Sequence, residues 1–133
     1  MIKYNFYSWE DQKYRDFITD MIMCLEPRME YSNTVIILEL EEFNEVLFFN
    51  KGSIDIGFEI NRKKKFVMRK LNSIVIADHG CTFNHQSNFI YKTHSACEGY
   101  SIRKEKWNKL LSEDTEITQQ LKKRISVNYF YHL

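Results

Sequence analysis

The sequence predicts a mainly β domain flanked by helices, one ahead of the strands and two behind them. Three observations predict it. Apolar residues recur at three- and four-residue spacing from Trp9 to Leu25. Between Thr34 and Arg103 the pattern changes to short β-branched and aromatic runs separated by turn residues. From Trp107 to Ile125 the helical spacing returns.

In the first segment, Trp9, Tyr14, Phe17, Ile18, Met21, Ile22 and Leu25 share one face, after a cap-like Ser8-Trp9-Glu10-Asp11. A helix is expected over 9–25. Pro27 stops it, because proline donates no amide hydrogen bond and disfavours helical geometry in the residue before it. The runs TVIILEL and EVLFF are β-rich, and Ile54, Ile56, Phe58 and Ile60 then alternate with Asp55, Gly57 and Glu59, as in a strand with one buried face. Lys51-Gly52 lies between EVLFF and SIDIGFEI, where glycine supplies the positive φ of a tight hairpin. A second turn is expected at Asn61 to Lys64, and FVMRKL, SIVIA, NFIYKTH and CEGYSIRK continue the strands to residue 103. C-terminal helices are expected over 104–130, one carrying Trp107, Leu110 and Leu111, the next Ile117, Leu121 and Ile125.

At 133 residues, 44% apolar and 15% aromatic, the chain fits one packed domain, 1–133, cut from a longer protein. A net charge of +1 gives no overall field for neutralising phosphates, which argues against nucleic acid as a partner. Cys24, Cys81 and Cys97 are an odd number without framework spacing, and no Asn-x-Ser/Thr site occurs; a reducing compartment is expected. No apolar run approaches the ~20 residues of a bilayer-spanning helix.

The words EVLFFNKGSIDIGFEI and YKTHSACEGYSIRKEKWNKLL, in this order of elements, resemble the cyclic nucleotide-binding domain, the first its second and third strands, the second its last strands and first C-terminal helix. The resemblance covers nearly the whole chain. It implies an antiparallel β-roll of about eight strands, jelly-roll-like, with one N-terminal and two C-terminal helices. The segment YRDFITDMIMCLEPRMEYSNTVIILELEE is further similar to the stretch preceding that roll in voltage-gated and nucleotide-modulated cation channels. That implies a non-catalytic gating module of a cation channel, of potassium type, on the cytoplasmic face of a membrane.

In family members that bind cyclic AMP or cyclic GMP, a Gly-Glu pair and an Arg-Ser/Thr-Ala run hold the ribose and the cyclic phosphate. A buried phosphate requires such a guanidinium or oriented N–H donors. Here the matching stretch is DHGCTFNHQSNF, with Gly80-Cys81 at the Gly-Glu position, Ser87 at the arginine and Asn88 at the hydroxyl residue. No arginine lies between Lys70 and Arg103. Lys92 is the available cation, but strand alternation sets it opposite Phe89 and Tyr91. The cassette is therefore degenerate, and binding of cyclic AMP or cyclic GMP is expected to be weak or absent, with no other cofactor. The aromatic end VNYFYHL offers a replacement by resemblance to ether-à-go-go potassium channels, in which residues after the last helix fill the pocket. Tyr129 or Tyr131 is the corresponding intrinsic ligand.

Other chemistry fits less well. His79, Cys81, His85, His94 and Cys97 are metal-ligand types, but without CxxC or HxxxH spacing; no metal is expected. A Cys-His nucleophile oriented by Asp78 lacks a recognisable oxyanion site, so no catalysis is expected. The basic blocks Arg62-Lys63-Lys64-Lys65 and Lys122-Lys123-Arg124 protect edges and aid solubility, or else meet acidic inner-leaflet lipid or the LELEE turn of a neighbouring copy. The expected partners are the rest of a channel subunit and its neighbours in a homotetramer. A kinase regulatory subunit is the second host, and a structural interaction domain with an empty or self-filled pocket is the runner-up.

Overall fold

A computed structural model describes residues 3–4, 7–8, 15–113 and 115–131, with the side chains of 3, 4, 7, 8, 130 and 131 outside that description. A short ribbon comes first, β1 (Lys3–Tyr4) paired antiparallel with β2 (Tyr7–Ser8). Helix α1 follows at Arg15–Ile22 and buries Phe17, Ile18 and Met21, the face its spacing predicts. It ends three residues short of Leu25, and residues 9–14 of the expected helix lie outside the described residues.

The main sheet starts earlier than expected. β3 (Glu26–Glu30) contains Pro27, which had read only as a helix stop. The proline is tolerated because β3 is an edge strand, pairing on one side with β8 (Ile90–Arg103), so its missing N–H breaks no central ladder. β4 (Val35–Ile37) also pairs with β8, while β5 (Glu45–Ile60) pairs with β8, with β6 (Lys63–Leu71) and with β7 (Ile74–Ile76), all antiparallel. The architecture is the expected one, an antiparallel β-roll with flanking helices.

Lys51-Gly52 is not a hairpin. EVLFFNKGSIDIGFEI is one continuous strand, and β8 runs beside it from Glu45↔Arg103 to Gly57↔Ile90. Gly52 has the positive φ expected, 105°, but spends it on an irregularity where the register slips between Phe49 and Ile54. The strand bends there without reversing. A Cβ at Gly52 would lie 2.5 Å from the Ala96 carbonyl oxygen, so only glycine fits the bend. NFIYKTH and CEGYSIRK likewise merge into one strand, β8, with Asn88 and Phe89 ahead of it and Lys104 opening the next helix. The turn expected at Asn61 to Lys64 is present: Asn61 and Arg62 both take positive φ, and Ile60 pairs with Lys63 across a two-residue connection.

Helix α2 (Asp78–Phe83) sits between β7 and β8, and α3 (Lys104–Leu111) and α4 (Glu116–Tyr131) follow. Trp107 and Leu111 of α3 and Leu121 and Ile125 of α4 are buried, as their spacing predicts. They join the core of Val46, Leu47, Phe48, Phe49 and Ile102 from the roll. No helix among the described residues is long and apolar enough to cross a membrane.

Candidate functional site

Residues Ile76 to Phe89 build the site, because the chain leaves β7 abruptly. Ala77 takes a left-handed φ of 75° and turns it into α2, and Asn84, φ 54°, ends that helix by donating its backbone N–H to the Gly80 carbonyl. The Lys104 ammonium donates to the Asn84 side-chain oxygen at 2.6 Å, and the Trp107 indole N–H donates to Thr82 Oγ1 at 2.9 Å. Both contacts fix α2 against α3.

A cavity of about 100 Å³ lies between α2, the roll and the end of α4. Its wall is largely apolar, with Phe43, Ile56, Val75, Phe89 and Tyr91, and its polar groups are Lys70, Asp78, His79, His85, Asn88 and Asn128. Tyr129 of α4 closes one side. Its ring stacks on the His79 imidazole, with centroids 3.8 Å apart and planes 13° from parallel. Its hydroxyl accepts a hydrogen bond from Asn88 Nδ2 at 2.9 Å. His79 Nδ1 in turn lies 2.5 Å from His85 Nε2, and His85 Nδ1 lies 2.8 Å from the Gln86 carbonyl oxygen.

The residues picked out in the sequence separate. Gly80 lines the cavity and is fully enclosed, since a Cβ there would lie 2.0 Å from the Phe43 ring. Asn88 and Tyr129 line it and touch each other. Cys81 is buried in the core, and burial pushes its thiol up to about 12, so it is a protonated apolar side chain. Ser87 is also buried: its hydroxyl donates to the Phe89 carbonyl at 2.6 Å, and its backbone N–H donates to the Glu41 carbonyl at 2.9 Å. It ties the 38–41 turn to the start of β8. Lys92 places its ammonium over the Phe66 ring, 5.5 Å from the centroid, while Phe89 and Tyr91 face the cavity, as strand alternation requires. The Tyr131 side chain lies outside the described residues.

Sequence reasoning weighed the loop histidines as metal ligands and in a Cys-His pair, and missed His79 and His85 as partners of Tyr129. Their six-residue separation across a short helix was the signal that could have paired them. Burial, then the neighbouring His85, lowers His79 to about 4, and burial holds the Tyr91 hydroxyl well above its ordinary range. Among the described residues, no three His, Cys, Asp or Glu side chains converge as metal ligands. Chemically, the site can stack an aromatic ring on His79 and hydrogen-bond it through Asn88. Among the residues lining it, no arginine stands ready for a phosphate.

No protein-family model matches the chain. No curated protein matches it either. Solved structures do. The Thermus thermophilus catabolite activator protein superposes with a TM-score of 0.71 at 6% identity, over 88% of this chain and 55% of that one. The sensor domain of the transcriptional regulator DNR from Pseudomonas aeruginosa gives 0.70 at 7% identity, over 93% and 87%. The regulatory domain of Toxoplasma gondii PKA, crystallised with cAMP, gives 0.67 at 13% identity, over 71% and 36%. This chain therefore spans little more than a third of that regulatory domain. At such identities the likeness establishes the fold, which is that of cyclic nucleotide-binding regulatory domains.

Proposed function

We propose that this chain is a non-catalytic regulatory module that senses through occupancy of the cavity beside α2 and reports through the position of α4. The observation that carries the reading is the stack of Tyr129 on His79, since it joins the cavity wall to the last helix. Any occupant that competes with Tyr129 has a different affinity for docked and undocked α4, which is the requirement for coupling. In this reading Tyr129 is the intrinsic ligand and Asn88 its polar anchor. The arginine-free lining supports weak or absent binding of cyclic AMP and cyclic GMP.

As host we propose a cation channel of potassium type, on the resemblance of the segment ahead of the roll. In a homotetramer at the cytoplasmic face of a membrane, the exposed Lys63, Lys64 and Lys65 of β6 and Lys122 and Lys123 of α4 would meet acidic lipid or neighbouring subunits. A second reading, the sensor of a transcriptional regulator, is favoured by the near-complete mutual coverage with the DNR sensor domain.

The test is thermal unfolding and amide exchange of α4 with millimolar cyclic AMP or cyclic GMP, on the wild type and on Tyr129→Ala. The reading expects no nucleotide shift in the wild type and faster exchange in α4 of the variant. A nucleotide-induced rise in melting temperature, or α4 exchange indifferent to loss of Tyr129, would overturn it. Six membrane spans ahead of this segment in the parent gene decide for the channel, and a DNA-binding segment decides for the regulator.

A further inference from the structure

We propose that the cavity beside α2 is a binding site for small 4-hydroxyphenyl carboxylic acids, whose ring replaces that of Tyr129 on His79 and whose carboxylate pairs with Lys70. The proposal rests on the regulatory reading above and names the class of molecule that competes with Tyr129.

The docked side chain shows what the site recognises. Tyr129 lays a flat ring on the His79 imidazole, with centroids 3.8 Å apart, and its hydroxyl accepts from Asn88 Nδ2 at 2.9 Å. Both contacts belong to the 4-hydroxyphenyl group alone. A free molecule carrying that group can repeat them without the helix. A cavity of about 100 Å³ adjoins the ring, walled by Phe43, Phe89 and Tyr91 among others, and withdrawal of the phenol would enlarge it.

The charge enters from the other end of the ring. Opposite the hydroxyl, where tyrosine has its Cβ, lies the α4 backbone. The preceding residue, Asn128, lines both this cavity and a second, more polar one of about 200 Å³, and Lys70 and Val75 are shared in the same way. Strand register puts the lysine there. Lys70 stands directly across the ladder from the buried Ile54 and so shares its inward face, whereas Arg69 stands across from Asp55 and is held by that carboxylate. Lys70 is half-buried, and among the described residues its ammonium makes no hydrogen bond or ion pair. A cation already stripped of part of its water gains from an anion beside it.

The same lining limits the class. It holds one lysine and no arginine, and the Asp78 carboxylate also lies on the wall, accepting the His79 backbone N–H at 2.9 Å. A dianion would meet one partner and one repulsion. A monocarboxylate needs only the partner. The apolar remainder of the wall favours an aromatic body over a sugar.

The test uses the full chain, with 4-hydroxyphenylacetate as the probe and 4-methylphenol and phenylacetate as analogues that lack the acid and the hydroxyl. Binding is followed through backbone amide chemical shifts. The probe should bind the wild type at millimolar concentration and Tyr129→Ala about tenfold more tightly, since the variant has no ring of its own to release. Lys70→Gln should weaken the probe about tenfold and leave 4-methylphenol unchanged. Phenylacetate should bind Tyr129→Ala more weakly than the probe does. No saturable binding to either protein, equal affinity in the two, or an affinity indifferent to Lys70→Gln would overturn the proposal. Should Tyr129→Ala fail to fold, the wild type decides: saturable shifts around α2 and Lys70 that Lys70→Gln weakens uphold the site, and their absence overturns it. The two readings fail separately. If Tyr129→Ala speeds exchange in α4 but neither protein binds the probe, the ligand class fails and the regulatory reading stands. If the probe binds with the expected dependence on Tyr129 and Lys70 while α4 exchange is indifferent to Tyr129→Ala, the site stands and the regulatory reading fails.

Discussion

The indole N–H of Trp107 donates to the hydroxyl of Thr82, which itself donates to the Asp78 carbonyl oxygen at 2.6 Å. One side chain of α3 thus fixes both the pitch of α2 and its distance from the core. Trp107 is fully buried, edge-on to Phe17 at 6.2 Å and tilted against Phe48 at 6.3 Å. Trp107→Phe removes the donor and part of the ring, and should lower stability by about 1–3 kcal/mol. Urea denaturation measures it. A double-mutant cycle with Thr82→Val should return a coupling of about 0.5 kcal/mol or more, and a coupling of zero would show the bond to be idle.

Gly80 faces the ring of Phe43, with no room for a methyl group. Gly80→Ala should destabilise by about 1–3 kcal/mol through overpacking. Adding Phe43→Leu makes room and should recover part of the loss in the same denaturation experiment. Equal melting temperatures for wild type and Gly80→Ala would contradict this packing.

Restoring the missing cassette arginine should fail. Ser87 stands at that position by sequence, but it is buried and both bonds of its hydroxyl go to the Phe89 backbone. A guanidinium there has no partner, so Ser87→Arg should lose about 3 kcal/mol or more and show no heat of binding with cyclic AMP. A stable variant that binds the nucleotide would mean that the cassette needs only its arginine.

The three thiols should react in a set order. Cys24 is partly exposed, whereas Cys81 and Cys97 are buried, with both of those thiols raised by burial. Iodoacetamide at pH 8 should label Cys24 in the native protein, and the other two only on the timescale of unfolding, as peptide mass spectrometry would record. Rapid native labelling of Cys81 would mean that α2 opens locally.

The helical faces were legible because burial imposes one period along the chain: Phe17, Ile18 and Met21, and Leu121 and Ile125, are spaced for helices and buried in them. The Asn61-Arg62 turn was legible because its positive φ values favour asparagine locally. Gly52 misled because positive φ serves both a reversal and a bend; which one results depends on the partner strand, and β8 continues past it on both sides. Pro27 misled for a similar reason, since its tolerance in β3 depends on which edge of that strand faces β8. In the site, Asn88 and Tyr129 were named from the sequence as a ligand-binding residue and an intrinsic ligand, but the two histidines that complete their arrangement were weighed only for other chemistry. Their contact with Tyr129 depends on α4 packing back onto α2, which no local pattern encodes.

The long ladder between β5 and β8 also sets an order of assembly. Its outermost pair joins Glu45 to Arg103 and its innermost joins Gly57 to Ile90, so every rung bridges distant parts of the chain. Contacts of this kind form slowly, because the loop between them must close before any rung contributes. On a ribosome, zipping cannot finish until Arg103 has left the exit tunnel. Helix α2 lies inside the loop that this zipping closes, and Tyr129 follows Arg103 by the whole of α3 and nearly all of α4. The receptor surface and its own plug are thus the last parts of the molecule to meet.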